Sequence, residues 1–571
     1  MYDLVIRGGK IVDGTGNAAF FADVAIEAKI IVALGDDVGP GKREIDAKGL
    51  LVTPGWVDSH THFDAQATWD PELTPSGWHG VTTVVMGNCG VGFAPVTDDK
   101  RDWLINVMEG VEDIPGAALT EGIQWEWETF PQYLDALDKR QWVADIGTQM
   151  PHVALRGYVM KDRAAEEQGA TVEDLTAMAA LTTEALKAGA LGFSTSRTPL
   201  HKDNAGVLVP GTFAPVDELM AIAEAIADAG HGVFQCALHH PEVLESGEWL
   251  KQVAKTTGEP VIFNLNQPDE YPDLWKDELD FLNEAQSEGL NVLAQVSGRP
   301  VGILECWDGT ANPFVPRPAA WEIAALPRDE RMAALRDPEV RQRLCDDDPI
   351  ELSRFEAFIT GAWDKMYPFL GENDYEPHPS GSIAAMAERT GQRPIEIAYD
   401  HLMTNDGNGM IYFPLFNYSY ENLSHLWELH QHPHTRMGLA DAGAHCGAIC
   451  DGGMPTFMIS FWTRDRTRGE LLGLEHMVKR QTRDTAELYG LRDRGLIAEG
   501  MRADLNVIDY KNLTVDAPRM AWDLPTGARR LVQKAEGYKY TICAGTVTVV
   551  DDEFTGDYPG RLIRGPQPDP R

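Results

Sequence analysis

Two histidines near the start of the chain are spaced as a metal-binding pair. His60 and His62 are separated by one residue, Thr61, so in an extended segment both imidazoles lie on the same side. Two imidazoles on one side of the backbone can bind a single metal ion. An isolated His-x-His pair can equally be solvated and without function. This pair follows the apolar run 51–57, which includes a Pro-Gly turn, and that context favours a metal site.

A carboxylate and a thiol are candidates to complete that site. Asp441 follows the apolar segment 437–440, where a carboxylate must be hydrogen-bonded, ion-paired or bound to a metal. We predict that Asp441 is both a metal ligand and the general base, with hydrogen bonds to turn amides as the alternative. Cys89 lies in a glycine-flanked turn. A thiolate ligand is one interpretation of this residue, and a small buried apolar side chain is the other.

Further polar residues lie where other predicted strands end. His152 is a candidate to polarise a substrate carbonyl group. Arg299 has a guanidinium fork that can bind a substrate carboxylate or form a structural salt bridge. Three more histidines are candidates for substrate binding, with ordinary surface hydrogen bonding as the alternative: His239, His240 and His445.

Strands and helices alternate through the middle of the chain, and these elements must position the polar residues. We predict eight strands, at residues 51–57, 81–86, 143–148, 191–195, 233–237, 260–265, 291–296 and 436–440. We predict helices from about residue 172 and at 215–229, 249–257 and 274–288, each followed by a glycine. Thr171 and Asp174 are spaced as a capping pair at the start of the first helix. Eight strands joined by helices predict an α/β fold of the (β/α)₈ TIM-barrel type, in which reactive groups gather at the carboxyl ends of the strands.

The two ends of the chain differ from its middle. Residues 1–50 and 496–571 read as short strands separated by turn residues, and we predict that together they form a small β-sandwich domain. Residues 51–495 are then the barrel domain. Within it, residues from about 300 to 400 lack the alternation of strand and helix, which predicts an insertion that acts as a lid or a subunit contact. Residues 410–413 are a ninth, extra strand candidate.

The composition excludes several classes of partner. The 571-residue chain has a formal net charge of -39, which repels nucleic acid and anionic membranes. We find neither an apolar run of about 18 residues nor the pattern of a signal peptide. Seven scattered cysteines fit a reducing compartment, so we predict a cytoplasmic protein. The expected partner is a small-molecule substrate, and the insertion leaves room for a homo-oligomer.

Longer motifs resemble the amidohydrolase superfamily and, within it, the N-acyl-D-amino acid deacylases (D-aminoacylases). The similarity runs over nearly the whole chain and includes the segments 52–62 (VTPGWVDSHTH), 87–91 (GNCGV) and 189–194 (GALGFS). It implies hydrolysis of an amide C–N bond by zinc-activated water, with an N-acyl-D-amino acid as substrate. The residues that this resemblance places around the metal are His60, His62, Cys89 and Asp441.

The chain departs from the family pattern at two strands. The family holds its tightly bound zinc with one histidine from strand 5 and one from strand 6, and Ala237 and Asn264 stand at those positions here. We therefore expect one zinc ion rather than two, with His239 or His240 as the alternative source of a replacement ligand. Two other functions stay open: hydrolysis of a cyclic or other small amide, and a non-catalytic barrel used for binding or assembly.

Overall fold

The chain folds into a mixed α/β protein. The computed structural model describes residues 1–165, 168–369 and 374–570, without the side chains of residues 165, 240 and 246. None of the helices in those ranges is both long and apolar enough to cross a membrane.

Strands from both ends of the chain form one nine-stranded sheet, here called the terminal sheet. Its strands are Tyr2–Ile11, Phe20–Glu27, Ile30–Gly35, Gly41–Asp46, Leu51–Pro54, Leu505–Ile508, Tyr538–Cys543, Thr546–Val550 and Glu553–Phe554. Leu505–Ile508 pairs antiparallel with Leu51–Pro54, and this pairing joins the two ends of the chain. Two short antiparallel strand pairs lie in the chain between Leu505–Ile508 and Tyr538–Cys543. In one, Thr514–Val515 pairs with Ala535–Glu536, and in the other Arg519–Leu524 pairs with Ala528–Val532.

Eight strands in the middle of the chain run parallel. In chain order they are β1 (Trp56–Asp58), β2 (Val81–Met86), β3 (Asp145–Thr148), β4 (Gly192–Arg197), β5 (Val233–Leu238), β6 (Val261–Asn264), β7 (Val292–Val296) and β8 (Thr435–Met437). β1, β2 and β3 form one sheet, and a short continuation of β3, Met150–Pro151, begins a second sheet that runs through β4 to β8 in order. A parallel bridge between Thr61 and Ala442 joins the segments that follow β1 and β8. All eight predicted strand positions therefore carry a parallel strand.

The predicted first strand, residues 51–57, was wrong as a single element. Leu51–Pro54 belongs to the terminal sheet, whereas β1 pairs with β2. Gly55 lies between them, and a Cβ atom there would lie 2.2 Å from the hydroxyl oxygen of Thr82. Only glycine fits so close to that side chain. Gly55 is also the residue at which the chain passes from the terminal sheet to β1.

Helices connect most of the parallel strands. They are Arg101–Glu112, Gly116–Gly122, Phe130–Asp138, His152–Met160, Asp162–Ala165, Val172–Ala188, Val216–Ala229, His240–Ser246, Glu248–Thr257, Leu274–Ser287, Ser424–Gln431, Met454–Ser460, Leu474–Arg480 and Arg483–Leu488. The predicted cap at the start of Val172–Ala188 is confirmed. The Thr171 hydroxyl accepts the amide hydrogen of Asp174, and the Asp174 carboxylate accepts that of Thr171, at 3.3 and 2.9 Å.

The segment between β7 and β8 is a packed unit with a core of its own. Three antiparallel strands form its sheet: Gly302–Glu305, Tyr367–Phe369 and Met410–Pro414. Its helices are Pro318–Ala324, Arg328–Leu335, Pro338–Asp346, Arg354–Gly361, Ile383–Thr390, Pro394–Leu402 and Thr404–Gly407. Buried apolar side chains such as Phe314, Leu335 and Leu402 form a separate cluster within it. The extra strand candidate at 410–413 belongs to this unit.

Side chains of the parallel strands form an apolar layer and a polar layer. One buried apolar cluster contains Val57, Val85, Val233, Ile262, Leu293, Leu488 and Tyr489. Two positions further along the same five strands, and on the same face, stand Ser59, Gly87, Gln235, Asn264 and Gln295. The polar layer thus lies toward the carboxyl ends of the strands, directly below the predicted site residues.

Candidate metal centre

The four predicted metal ligands come together beyond the ends of β1, β2 and β8. One ligand atom from each of His60, His62 and Cys89 lies within 4.8 Å of the other two. The Nε2 atom of His60 lies 3.2 Å from Cys89 Sγ and 3.2 Å from the Oδ1 atom of Asp441. The Nε2 atom of His62 lies 3.5 Å from the same carboxylate oxygen. Two imidazole nitrogens and a sulfur therefore form one group, and a carboxylate oxygen lies beside both imidazoles.

The backbone holds these ligands in place through an unusual local conformation. Cys89 and Asp441 have φ angles of 55° and 46°, the left-handed region that non-glycine residues rarely adopt. Two hydrogen bonds fix the strand-8 segment against the strand-1 segment. The amide of Asp441 donates to the carbonyl of His60 at 3.2 Å, and the amide of His62 donates to the carbonyl of Ala442 at 2.8 Å. Such strain persists where surrounding structure holds the backbone, and it is concentrated at functional sites.

Side chains behind the ligands set their orientation. Nδ1 of His60 donates to the Gln295 amide oxygen at 2.7 Å, which leaves Nε2 facing the other ligands. Nδ1 of His62 lies 3.4 Å from the Glu112 carboxylate. The Cys89 amide donates to the Gln235 side-chain oxygen at 3.0 Å. Partners of this kind fix the tautomer and direction of metal-binding histidines in proteins.

The charges within the cluster are those of a site that binds a cation. Burial lowers the pKa of His60 to about 4 and raises that of Cys89 to about 12. Burial alone would raise the pKa of Asp441, yet His60 and His62 hold it well below its usual range, so the carboxylate is ionised. The pKa of His62 is raised despite burial, because the Glu112 and Asp441 carboxylates favour its protonated form. A cation at this point would take the place of that proton.

The donor set fits zinc. Nδ1 of His62 and Oε1 of Glu112 are buried and have no hydrogen-bond partner among the described residues. Imidazole nitrogen, thiolate sulfur and carboxylate oxygen are the three ligand types that zinc takes in proteins. A thiol whose pKa is raised by burial needs a nearby positive charge to ionise, and a metal supplies it.

Glu112 is a site residue that the sequence analysis missed. It ends the helix Arg101–Glu112 and is 1% exposed. Its second carboxylate oxygen lies 3.5 Å from Nε2 of His445, so one buried carboxylate contacts two imidazoles. A signal was available, because Leu104, Met108 and Glu112 are spaced four residues apart on one helix face. An acidic residue on an otherwise apolar face indicates a buried charge with a partner.

His201 is a second missed residue. It follows β4, and its Nδ1 atom lies 2.8 Å from the hydroxyl oxygen of Ser196. Burial, together with the charges of His445 and His62, lowers its pKa to about 3. The surrounding turn-rich segment has no strand or helix pattern, so sequence spacing did not relate this histidine to the site.

His152 is not placed at the metal cluster. Its Nδ1 atom lies 2.8 Å from the Thr195 hydroxyl, and its Nε2 atom lies 2.9 Å from the carboxylate of Glu218. Arg156 contacts the same carboxylate. Both ring nitrogens are therefore engaged in a buried network, which contradicts the predicted role in polarising a substrate carbonyl group.

Arg299 forms the structural salt bridge that was the alternative to substrate binding. Its side chain is fully buried, and its Nε atom lies 3.0 Å from the Asp451 carboxylate. The guanidinium carbon lies 3.8 Å from the centre of the Tyr375 ring, which it covers as a cation–π contact. With these partners in place, the guanidinium fork has no face left for a substrate carboxylate.

The remaining predicted histidines differ in their surroundings. His445 is part of the site through Glu112, with its side chain 24% exposed. His239 is exposed and precedes the helix His240–Ser246, so it does not take the place of a strand-5 ligand. The side chain of His240 lies outside the described residues. At the strand-6 position, the Asn264 side-chain oxygen accepts the amide hydrogen of Leu238 at 2.6 Å.

Comparison with known proteins gives a consistent family. The amidohydrolase family profile matches residues 43–549. The N-acyl-D-aspartate deacylase of Alcaligenes xylosoxydans xylosoxydans is 26% identical over 98% of this chain and 95% of that protein. The N-acyl-D-glutamate deacylase of Bordetella bronchiseptica, solved with zinc and a phosphonate that mimics the tetrahedral intermediate, superposes with a TM-score of 0.66 at 22% identity. That alignment covers 99% of this chain and 100% of the other.

A D-aminoacylase structure, whose metal centre is described as binuclear, has a TM-score of 0.65 and 22% identity over 99% of this chain and 100% of the other. The structural likeness concerns the fold, whereas the profile spans most of the sequence. The chain belongs to the amidohydrolase family and is a metal-dependent hydrolase of amide bonds.

Proposed function

We propose that this protein removes the acyl group from an N-acyl-D-amino acid, using one zinc ion held by His60, His62, Cys89 and Asp441. The observation that carries the proposal is the cluster of His60, His62 and Cys89, whose ligand atoms lie within 4.8 Å of one another, with Asp441 Oδ1 3.2 Å from Nε2 of His60. The names of the related deacylases support the substrate class. The four ligand-type side chains that this chain retains argue against a barrel that serves only in binding.

The number of ions follows from the side chains at strands 5 and 6. In the family, histidines at those positions hold the tightly bound zinc, and Ala237 and Asn264 stand there instead. An alanine methyl group has no ligand atom, and the Asn264 oxygen already accepts a backbone hydrogen bond. A second ion would share Cys89 but lack both nitrogen ligands. This is why we favour one ion, in contrast to the centre described as binuclear in a D-aminoacylase.

Asp441 performs the proton transfers. When bound, zinc lowers the pKa of a water molecule toward neutrality and polarises the substrate carbonyl group. Asp441 accepts a proton from the water as its oxygen bonds to the carbonyl carbon. It then gives that proton to the amide nitrogen as the C–N bond breaks, which releases an amine and a carboxylic acid. His60 and His62 keep Asp441 ionised and therefore able to accept the first proton.

We further propose that β1 to β8 close into a (β/α)₈ barrel. The bridge between Thr61 and Ala442 and the shared apolar cluster support closure. The terminal sheet then belongs to a second domain of sandwich type, which extends to residue 54 rather than residue 50 because Leu51–Pro54 pairs within it. The packed unit between β7 and β8 remains the predicted insertion.

A substrate panel tests the proposed function. Zinc-loaded protein is incubated with N-acetyl-D-amino acids, their L enantiomers and cyclic amides such as hydantoins, and amine release is measured. We expect turnover of D substrates that stops when a chelator removes the metal. Turnover of cyclic amides alone would support the alternative substrate class, and no turnover of any amide would refute the proposal.

A further inference from the structure

A hairpin that follows β4 carries His201 toward the metal centre. The amide of Val209 donates to the carbonyl of His201 at 3.2 Å, and the amide of Asp203 donates to the carbonyl of Val207 at 2.8 Å. Lys202 and Leu208 form an antiparallel bridge between these two bonds. His201 therefore stands at the base of a hydrogen-bonded element rather than in a loose loop.

This hairpin packs against the helix that carries Glu112. A Cβ atom on Gly110 would lie 2.4 Å from the carbonyl carbon of Asp203, so the two backbones are in direct contact. The Asn204 side chain also donates to the carboxylate of Glu109. The hairpin therefore packs against the helix that carries Glu112, about one turn before Glu112 itself, whose carboxylate contacts His62.

The imidazole of His201 has one nitrogen engaged and one available. Ser196 contacts Nδ1, and in the register of the parallel sheet Ser196 stands beside Ala237, where the family has a ligand histidine. Among the described residues, no hydrogen bond engages Nε2 of His201. We assign the Ser196 hydroxyl as the donor to Nδ1, which leaves the ring hydrogen on Nε2. A neutral ring of this tautomer is a hydrogen-bond donor.

The position of His201 relative to the ligands leaves room for a substrate. Ser196, which contacts the His201 ring, lies against the turn that follows Cys89, because a Cβ atom on Gly90 would lie 2.7 Å from the backbone nitrogen of Ser196. His201 is therefore near the cluster. It is nevertheless absent from the group of described ligand atoms that lie within 4.8 Å of one another. A histidine beside the centre but outside the ligand group can contact a substrate bound between them.

We propose that His201 is a catalytic residue whose Nε2–H donates a hydrogen bond to the substrate carbonyl oxygen and to the oxyanion formed as water adds. This assignment rests on the proposed amide hydrolysis. His201 takes the role that the sequence analysis gave to His152, whose nitrogens are both engaged. Removing one such donor costs about 100-fold to 1,000-fold in kcat, because its bond strengthens as charge develops on the oxygen.

Three variants test this role: His201→Ala, His201→Gln and the matched control His378→Ala, which removes an exposed histidine from the unit between β7 and β8. Zinc content, kcat, KM and the affinity for a phosphonate analogue of the N-acyl substrate are measured for each. For His201→Ala we expect unchanged zinc content, a kcat lowered about 100-fold or more and weaker phosphonate binding. His201→Gln keeps an N–H donor and should recover part of the loss, and His378→Ala should match the parent protein.

Each other outcome overturns the assignment. A parallel loss of zinc in His201→Ala would make the residue a metal ligand, and a kcat near that of the parent protein would exclude a catalytic contact. Phosphonate affinity does not depend on turnover, so it separates this role from the proposed function. If His201→Ala binds the phosphonate as tightly as the parent protein does, the donor role is refuted. Parent protein that neither binds the phosphonate nor hydrolyses an amide refutes the proposed function and this role together.

Discussion

Replacing Glu112 by glutamine should weaken zinc binding although none of the four proposed ligands is changed. The substitution keeps the shape of the side chain and removes its charge. In the structure, the Glu112 carboxylate lies 3.4 Å from Nδ1 of His62 and 3.5 Å from Nε2 of His445, and it is 1% exposed. Because the site is buried, water cannot replace the lost charge, and His62 becomes a weaker electron donor to the metal.

The expected magnitude follows from the position of the carboxylate behind the ligand. Loss of such a partner lowers metal affinity by roughly 10-fold to 100-fold in metalloproteins. At about 1.4 kcal/mol for each factor of ten, this is a loss of about 1.4 to 2.8 kcal/mol of binding free energy. The zinc dissociation constant is measured by competition with a chromophoric chelator, in parallel with thermal unfolding of the metal-free protein.

The matched control is Glu121→Gln, which removes an exposed carboxylate from the next helix, Gly116–Gly122. This control should leave the dissociation constant unchanged. If Glu112→Gln bound zinc within a factor of two of the parent protein, the carboxylate would have no part in orienting or polarising His62. Our account of the site behind the ligands would then be wrong.

Three further predictions concern other buried groups. Asp441→Asn should keep the fold and lose at least about 1,000-fold in kcat, since an amide cannot accept the proton of the attacking water; turnover near that of the parent protein would remove its role as base. Arg299→Met should destabilise the protein by about 3 to 5 kcal/mol in urea unfolding, because Asp451 is left buried and unpaired, while KM of the folded fraction stays unchanged; a raised KM would restore Arg299 as a substrate contact. His425 is fully buried with both ring nitrogens unpartnered among the described residues, and burial lowers its pKa to about 3. Below about pH 6.5 this histidine binds a proton in the unfolded chain but not in the folded protein, so the free energy of unfolding falls as the pH drops toward 3. Between pH 6.5 and pH 5 the parent protein should lose about 2 kcal/mol more of this free energy than His425→Leu does. Equal losses would show that this histidine is not the cause.

Sequence spacing predicted a group of candidate ligands because of how parallel strands are arranged. His60, His62, Cys89 and Asp441 each lie two to four residues beyond the end of a parallel strand, and the carboxyl ends of neighbouring parallel strands meet at one edge. No long-range information beyond strand order was needed to bring them together. The eight strand positions themselves followed from apolar runs bounded by turn residues.

The roles of His152 and Arg299 could not be read in this way. Each is at a strand end, as predicted, but its partner comes from elsewhere: Glu218 is 66 residues from His152, and Asp451 is 152 residues from Arg299. A titratable side chain at a rim faces either the substrate or a buried counter-charge. Sequence alone does not distinguish these outcomes, because the choice depends on which helix packs behind the strand.

The amino-acid sequence by itself predicted the alternation of strands and helices, the family and the four candidate metal ligands, since these predictions depend on local pattern, strand order and family motifs. Only the tertiary structure decided that residues 51–57 divide between two sheets at Gly55, that Glu112 lies behind His62, and that a hairpin brings His201 near the centre. The physical reason is that these features depend on close packing between segments far apart in the chain. No local periodicity records such contacts.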